Sequence, residues 1–236
     1  MENTSSPLLQ FDNLSKCYGS KQALSPLSCI VPSGHIIGLL GPNGSGKTTL
    51  IKTIAGILTP TTGSVRIFGQ EPNPQTKAVV SYLPERTYFS NWMTVENILC
   101  FFADFYQDFS REKALDMLDR LKIDRKMKFS AMSKGTKEKL QLIMVMSRNA
   151  KLYLLDEPIA GVDPATRDYI LETILSAYNP EATMIFSTHL IADVEHILTD
   201  VMLIKDGSLI YAGPADQLRE REGKSVDAYF REVFKC

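Results

Sequence analysis

No apolar run in the chain approaches the roughly 18–20 residues that cross a bilayer, so no membrane-spanning helix is expected. There is no basic excess either. Lys and Arg total 26 against 27 Asp and Glu, a formal net charge of -1, which advertises no nucleic-acid surface, and no nucleic-acid partner is expected. The first residues, Met-Glu-Asn-Thr-Ser-Ser-Pro, lack the basic and apolar regions of a signal peptide, and a cytoplasmic protein is expected. Cysteine is scarce: Cys17, Cys29, Cys100 and Cys236 stand apart without C-x-x-C spacing, so neither a zinc site nor a disulfide framework is indicated. Internal repeats and low-complexity segments are absent. What remains is an ordinary globular composition, 44% hydrophobic and 22% charged over 236 residues. That suffices for one large domain, or for one domain with an inserted subdomain.

The most informative stretch is Gly41-Pro42-Asn43-Gly44-Ser45-Gly46-Lys47-Thr48-Thr49. It fits G-x-x-x-x-G-K-[ST] and sits between an apolar run of strand length, Ile36-Ile37-Gly38-Leu39-Leu40, and a segment with helical spacing after Leu50. Glycines let the backbone curl so that successive N–H groups point at a phosphate. The positive end of the following helix adds attraction for the anion. Lys47 is expected to reach the β- and γ-phosphates, and Thr48 to place its hydroxyl on Mg²⁺.

Around that stretch the chain reads as short strands near residues 8–12 and up to 31, divided by turn-rich pieces, with Tyr18 in one such loop. Strands follow near 64–68 and 79–83. From Thr94 the pattern becomes helical, over 95–106, 111–121 and 137–146, which reads as an inserted helical subdomain. Strands return at 151–155 and 183–187, flanking a helix over 164–177. A hairpin with Asp206-Gly207 at its turn comes next. The expected division is a split core of residues 1–85 and 149–213, a helical insertion at 86–148 and a helical tail at 214–236.

Asp156-Glu157 follows the mostly apolar Lys151-Leu152-Tyr153-Leu154-Leu155. Two carboxylates at the C-terminal edge of a buried sheet lie where α/β folds bind ligands. Asp156 can hold Mg²⁺, and Glu157 can orient and polarise the water that attacks a γ-phosphate.

With these motifs in order, the chain resembles the ATP-binding-cassette (ABC) ATPases over nearly its whole length. Tyr18 stands where the family stacks an aromatic on adenine, and Tyr82-Leu83-Pro84-Glu85 where a segment usually ends in glutamine. Met132-Ser133-Lys134-Gly135-Thr136 lies at the signature, which usually reads Leu-Ser-Gly-Gly-Gln. Gly161-Val162-Asp163 matches the short loop after the carboxylates, and His189, in Ser187-Thr188-His189, the switch histidine. The resemblance implies an α/β phosphate-loop NTPase of RecA-like sheet core, with an N-terminal antiparallel β part and an inserted helical subdomain. It implies ATP and Mg²⁺ as ligands, and Glu157, His189 and Lys47 as catalytic groups. Thr48, Asp156 and Glu85 would surround the metal. Ser133 and Gly135 would meet the γ-phosphate held by a second ATP-binding subunit, and His189 would bridge to Asp163 across that interface. Glu85 adds negative charge beside Asp156 and Glu157. The Lys134 form resembles a branch that drives exporters of antibiotics, peptides or lipid-linked compounds.

The implied role is the ATPase subunit of an exporter, attached to the inner face of the membrane through a separate permease. Most of the aromatics between Tyr88 and Tyr106 read as core of the helical subdomain, with Tyr88, Phe89 and Trp92 as candidates for contact with that permease, because exposed apolar clusters mark interaction sites. Val226, Tyr229, Phe230, Val233 and Phe234 have amphipathic helical spacing. Packing on the chain's own domain, dimer contact and membrane-surface association are the roles open to them, in that order. His35 and His196 fall on no motif and read as surface or structural. Two other readings stay open: a soluble ABC ATPase serving as scaffold or assembly factor, and a switch that binds ATP without hydrolysing it.

Overall fold

The computed structural model describes residues 7–234, so the stretch read for a signal, but for Pro7, and Cys236 lie outside the described residues. In chain order the elements are β1 (Leu9–Tyr18), β2 (Lys21–Val31), β3 (Ile36–Leu40), α1 (Lys47–Ile54), β4 (Thr62–Ile67), α2 (Pro74–Ala78) and β5 (Val80–Leu83). The helices α3 (Val95–Phe105), α4 (Arg111–Arg120) and α5 (Lys134–Met146) follow. Then come β6 (Leu152–Asp156), α6 (Pro164–Ala177), β7 (Thr183–Thr188), α7 (Ile191–Val194), β8 (Asp200–Lys205), β9 (Ser208–Pro214), α8 (Ala215–Glu222) and α9 (Val226–Phe234).

The central sheet runs β5-β6-β7-β3-β8-β9, parallel throughout except for β9. Strands covered on both faces must be apolar on both, and β3, β6 and β7 are buried at every position. Successive side chains face opposite sides. Ile37 and Leu39 therefore join the cluster beneath α1 and the antiparallel β2-β1-β4 sheet, while Ile36 and Leu40 join the cluster beneath the remaining helices. The result is a three-layer α/β fold of the class expected, with α3, α4 and α5 inserted between β5 and β6.

Two local readings change. The strand expected near 8–12 runs on as β1 to Tyr18, which ends that strand instead of lying in a loop. Asn13 takes a φ of 45° in a bulge, and pairing with β2 and β4 carries the strand through the turn-rich piece. Helix α5 starts at Lys134 instead of 137, because Ser133 caps it by accepting from the Thr136 N–H at 3.2 Å. The tail helix α9 packs on its own domain, the first of its three expected roles. Val226 and Phe230 are buried in the core. Both Glu195 carboxylate oxygens accept from its first N–H groups, of Val226 at 2.8 Å and Asp227 at 3.2 Å.

Arg148 fastens the helical block to the sheet. Its side chain is 2% exposed, and burying a guanidinium costs several kcal/mol unless its donors are matched. Here Nε and Nη2 donate to both Asp108 carboxylate oxygens at 2.9 and 3.1 Å. Nη1 and Nη2 also donate to the Val80 and Ala78 carbonyls at 2.6 and 2.5 Å, and the Tyr106 ring centroid lies 3.8 Å from the guanidinium carbon. Arg148→Leu strands Asp108 and two carbonyls. It is expected to lower the unfolding free energy in urea by about 3–5 kcal/mol. Trp92→Ala, at a residue 71% exposed, should change it by no more than about 0.5 kcal/mol. A wild-type midpoint for Arg148→Leu would remove this role from Arg148.

Candidate functional site

Between β3 and α1 the backbone makes the loop that the glycines announce. Gly46, the N-cap of α1, has a φ of 110°, and a Cβ there would lie 2.6 Å from the Ala23 carbonyl oxygen. Only glycine tolerates both conditions. At Gly41 a Cβ would meet the Ile204 carbonyl oxygen at 2.5 Å. No side chain caps α1, which leaves its first N–H groups to an anionic partner. Asn43, Gly44, Gly46, Lys47, Thr48 and Thr49 line a cavity of about 360 Å³, with Tyr18 exposed on its wall. Pro42 and Ser45 shape the loop from behind: the Ser45 N–H donates to the Pro42 carbonyl at 3.2 Å.

The strand order brings the other groups to the same edge. Asp156 ends β6 opposite Ser187 of β7, and Leu40 of β3 lies opposite Thr188. Asp156 is 1% exposed. Its Oδ1 accepts from the Thr48 hydroxyl at 3.1 Å and the Ser187 hydroxyl at 2.9 Å, while Oδ2 has no partner. Burial pushes this carboxyl above its ordinary range. The Ser187 and Thr48 hydrogen bonds oppose that, and the Glu157 and Glu85 charges reinforce it.

Glu157 follows at a φ of 52°, an unusual backbone for a residue with a side chain. Its N–H donates to Ser187 Oγ at 2.9 Å. Its carboxylate lies between Lys47 Nζ, 3.1 Å from Oε1, and His189 Nδ1, 3.0 Å from Oε2. The Lys47 contact is charge against charge without an aligned hydrogen bond. Lys47 Nζ donates instead to the Gly41 and Pro42 carbonyls at 2.7 and 3.2 Å.

Most of the residues singled out in the sequence thus converge: Tyr18, the 41–49 loop, Glu85, Asp156, Glu157 and His189. Glu85 is exposed and lines the same cavity. Ser133, Gly135 and Asp163 do not line it. Ser133 caps α5, and Gly135 has open space where a Cβ would stand. Asp163 caps α6, accepting from the Thr166 N–H at 3.1 Å and hydroxyl at 2.7 Å, which hold its carboxyl below its ordinary range.

A separate, mostly apolar cavity of about 700 Å³ opens beside Tyr82, Tyr88, Phe105 and Tyr106. Phe89 is withdrawn as an exposed contact: it is buried, with its ring edge-on to Phe102 and Phe129 at 6.0 and 5.6 Å. Tyr88 and Trp92 are exposed. Of the two histidines outside the motifs, His35 contacts Asp200 and His196 is exposed. Two residues had no role assigned from sequence. Ser187 serves both carboxylate residues, and Gln141 donates to the Pro84 carbonyl at 3.0 Å just before Glu85. A lone amide inside the apolar run 140–146 was the available signal for Gln141.

Residues 24–160 match the family model described as ABC transporter. The chain belongs to the ABC transporter family. An ABC transporter ATP-binding protein of Synechocystis sp. is 34% identical over 214 residues, 87% of this chain, which spans 60% of that protein's length. The Nod factor export ATP-binding protein I of Paraburkholderia xenovorans is 31% identical over 219 residues, covering 89% of this chain and 72% of that one. A solved ATP binding subunit of an ABC transporter matches at 28% identity with a TM-score of 0.84, over 96% of this chain and 99% of that one. ABC ATP-binding domains bind and hydrolyse ATP, so the loop and sheet edge described above belong to an ABC ATPase. No helix among its described residues is long and apolar enough to cross a membrane.

Because burial raises the Asp156 pKa, the ionised form is the costly one in the folded ABC ATPase near neutral pH. Asp156→Asn is therefore expected to raise the thermal midpoint measured without nucleotide. It should also abolish the further rise produced by adding ATP and MgCl₂. A lower midpoint without nucleotide would mean that the hydrogen bonds to the carboxylate outweigh its desolvation.

Proposed function

We propose that this chain is the ATP-hydrolysing subunit of an ABC exporter, working as one of a pair to drive a separate membrane permease. The observation that carries this is the place of Glu157, between the Lys47 ammonium and the His189 imidazole at the carboxyl edge of the sheet. The phosphate loop and Lys47 take the β- and γ-phosphates, and the exposed Tyr18 offers its ring to adenine. Glu157 accepts a hydrogen bond from the attacking water and polarises it, work worth about 10²–10⁴-fold in rate. His189 orients Glu157 and holds the γ-phosphate.

Among the described residues no cluster of three or more His, Cys, Asp or Glu could hold a metal alone. The donors at hand are oxygens: the Thr48 hydroxyl, the partnerless Asp156 Oδ2 and, farther out, Glu85. That set suits Mg²⁺, which keeps few protein ligands and shares the substrate's phosphates. Bound there, Mg²⁺ would neutralise charge on the β- and γ-oxygens.

One phosphate loop and one signature make this chain half of a catalytic pair. Ser133 and the open Gly135, at the exposed start of α5, would meet the partner's ATP, and Asp163 the partner's histidine. The apolar cavity at Tyr88, Phe105 and Tyr106 receives the permease, which holds the protein at the inner face of the membrane. Similarity to a Nod factor export protein supports outward transport.

Glu157→Gln keeps the shape of the site and removes the base. Turnover should fall by at least about 100-fold with ATP binding retained. Light scattering with saturating ATP and MgCl₂ should then report a dimer, and a monomer there would refute the paired mechanism. At the apolar cavity, Tyr88→Ala with Phe105→Ala should spare ATP binding and reduce co-purification of a polytopic membrane protein. Undiminished recovery of that protein would place the permease contact elsewhere.

A further inference from the structure

Glu85 and Lys134, two of the departures from the usual family pattern, carry opposite charges and line one cavity of about 600 Å³. Lys134, Glu138 and Gln141 lie at i, i+4 and i+7 on α5, one helical face, and all three line that cavity. Gln141 is 2% exposed and donates to the Pro84 carbonyl at 3.0 Å. The helix that carries Lys134 therefore also holds the backbone next to Glu85.

The cavity is rich in unmet acceptors. Glu138 Oε2, Gln141 Oε1, Asp156 Oδ2 and Glu157 Oε1 are buried without hydrogen-bond partners, and these four residues all line it. Two of the nearby cations are partly committed, while Arg86 lines the cavity beside Glu85. Lys47 is shared between two carbonyls and Glu157, and the Lys137 ammonium lies over the Phe129 ring, 4.9 Å from its centroid. Lys134 is 76% exposed and meets Glu138 Oε1 only at 3.8 Å. Its ammonium lies 3.4 Å from where a Cβ on Gly161 would stand, so it is turned toward the segment after Glu157. The Glu85 charge itself reaches Asp156 and Tyr82, adding to the burial that raises both.

We propose that Lys134 is a positioning residue: its ammonium is the counter-charge to Glu85 and sets how strongly Glu85 and Asp156 together attract the metal that accompanies the nucleotide. This rests on the Mg²⁺ site proposed above. An ABC subunit with a glutamine in place of Glu85 and a glycine in place of Lys134 would reach a similar charge balance without either group.

The test is binding of a fluorescent, non-hydrolysable ATP analogue by the full chain, titrated with MgCl₂. Glu85→Gln should raise the half-saturating Mg²⁺ concentration about fivefold, and Lys134→Gly should lower it by a similar factor. In the Glu85→Gln background, Lys134→Gly should change it by less than about twofold, because neighbouring groups couple instead of adding. Lys134→Arg should keep the wild-type value, which a packing role for the lysine stem would not ensure. Binding of the analogue at saturating Mg²⁺ certifies that each variant is folded. Equal Lys134→Gly shifts in both backgrounds would overturn the inference, as would a metal shift produced by Arg86→Gln and not by Lys134→Gly. Mg²⁺-independent binding by the wild-type protein would instead overturn the metal site on which it rests.

Discussion

A carboxylate buried at the end of a central strand has no water to solvate it, so the protein must supply donors from whatever elements lie beside that strand. For Asp156 those donors are the Thr48 and Ser187 hydroxyls, one on the helix after the phosphate loop and one on the adjacent strand. Both are in reach only because β6, β7 and β3 are neighbours in the sheet. Ser187 then accepts from the Glu157 N–H, which fixes the residue after the buried charge in its left-handed backbone. One desolvation problem thereby ties the phosphate loop, the second carboxylate and the strand leading to His189 into a single unit.

Two of the hydrogen-bonded joints between the helical block and the core differ in character. At Arg148 a buried, fully matched guanidinium grips a carboxylate and two carbonyls, a contact that resists displacement. At Gln141 a single neutral hydrogen bond reaches the loop that carries Glu85, and the amide's other end is unpaired. A single neutral bond contributes about 1 kcal/mol net, against several for the arginine cluster. Of these two joints, the one at Gln141 is the weaker.

Much of this was legible in residue order. The 41–49 loop, the buried strand before Asp156-Glu157, the Asp206-Gly207 turn and the amphipathic tail all took the forms that their spacing announced. What escaped was decided by partners distant in sequence. The turn-rich piece between residue 12 and Tyr18 becomes strand once β1 acquires neighbours on both sides. Phe89 sits in an aromatic-rich loop that reads equally as core or as contact surface, and its contacts with Phe102 and Phe129 show it as core. The start of α5 was missed because Gly135 and Thr136 are poor helix formers, and the Ser133 cap outweighs them. Ser187 was visible inside its motif, yet its two hydrogen bonds depend on the register between β6 and β7.

Lys47 carries a further consequence. Its ammonium already has two carbonyls and the Glu157 carboxylate within 3.2 Å. In the proposed mechanism, a phosphate entering the loop meets no waiting cation and competes with Glu157 for Lys47. The competition makes the site selective by charge, since a ligand needs enough negative charge close to Nζ to outbid an internal carboxylate. Each time it succeeds, Glu157 is released from its ion pair. On the proposed function, recognition of the ligand and arming of Glu157 are thus one exchange of partners around a single nitrogen.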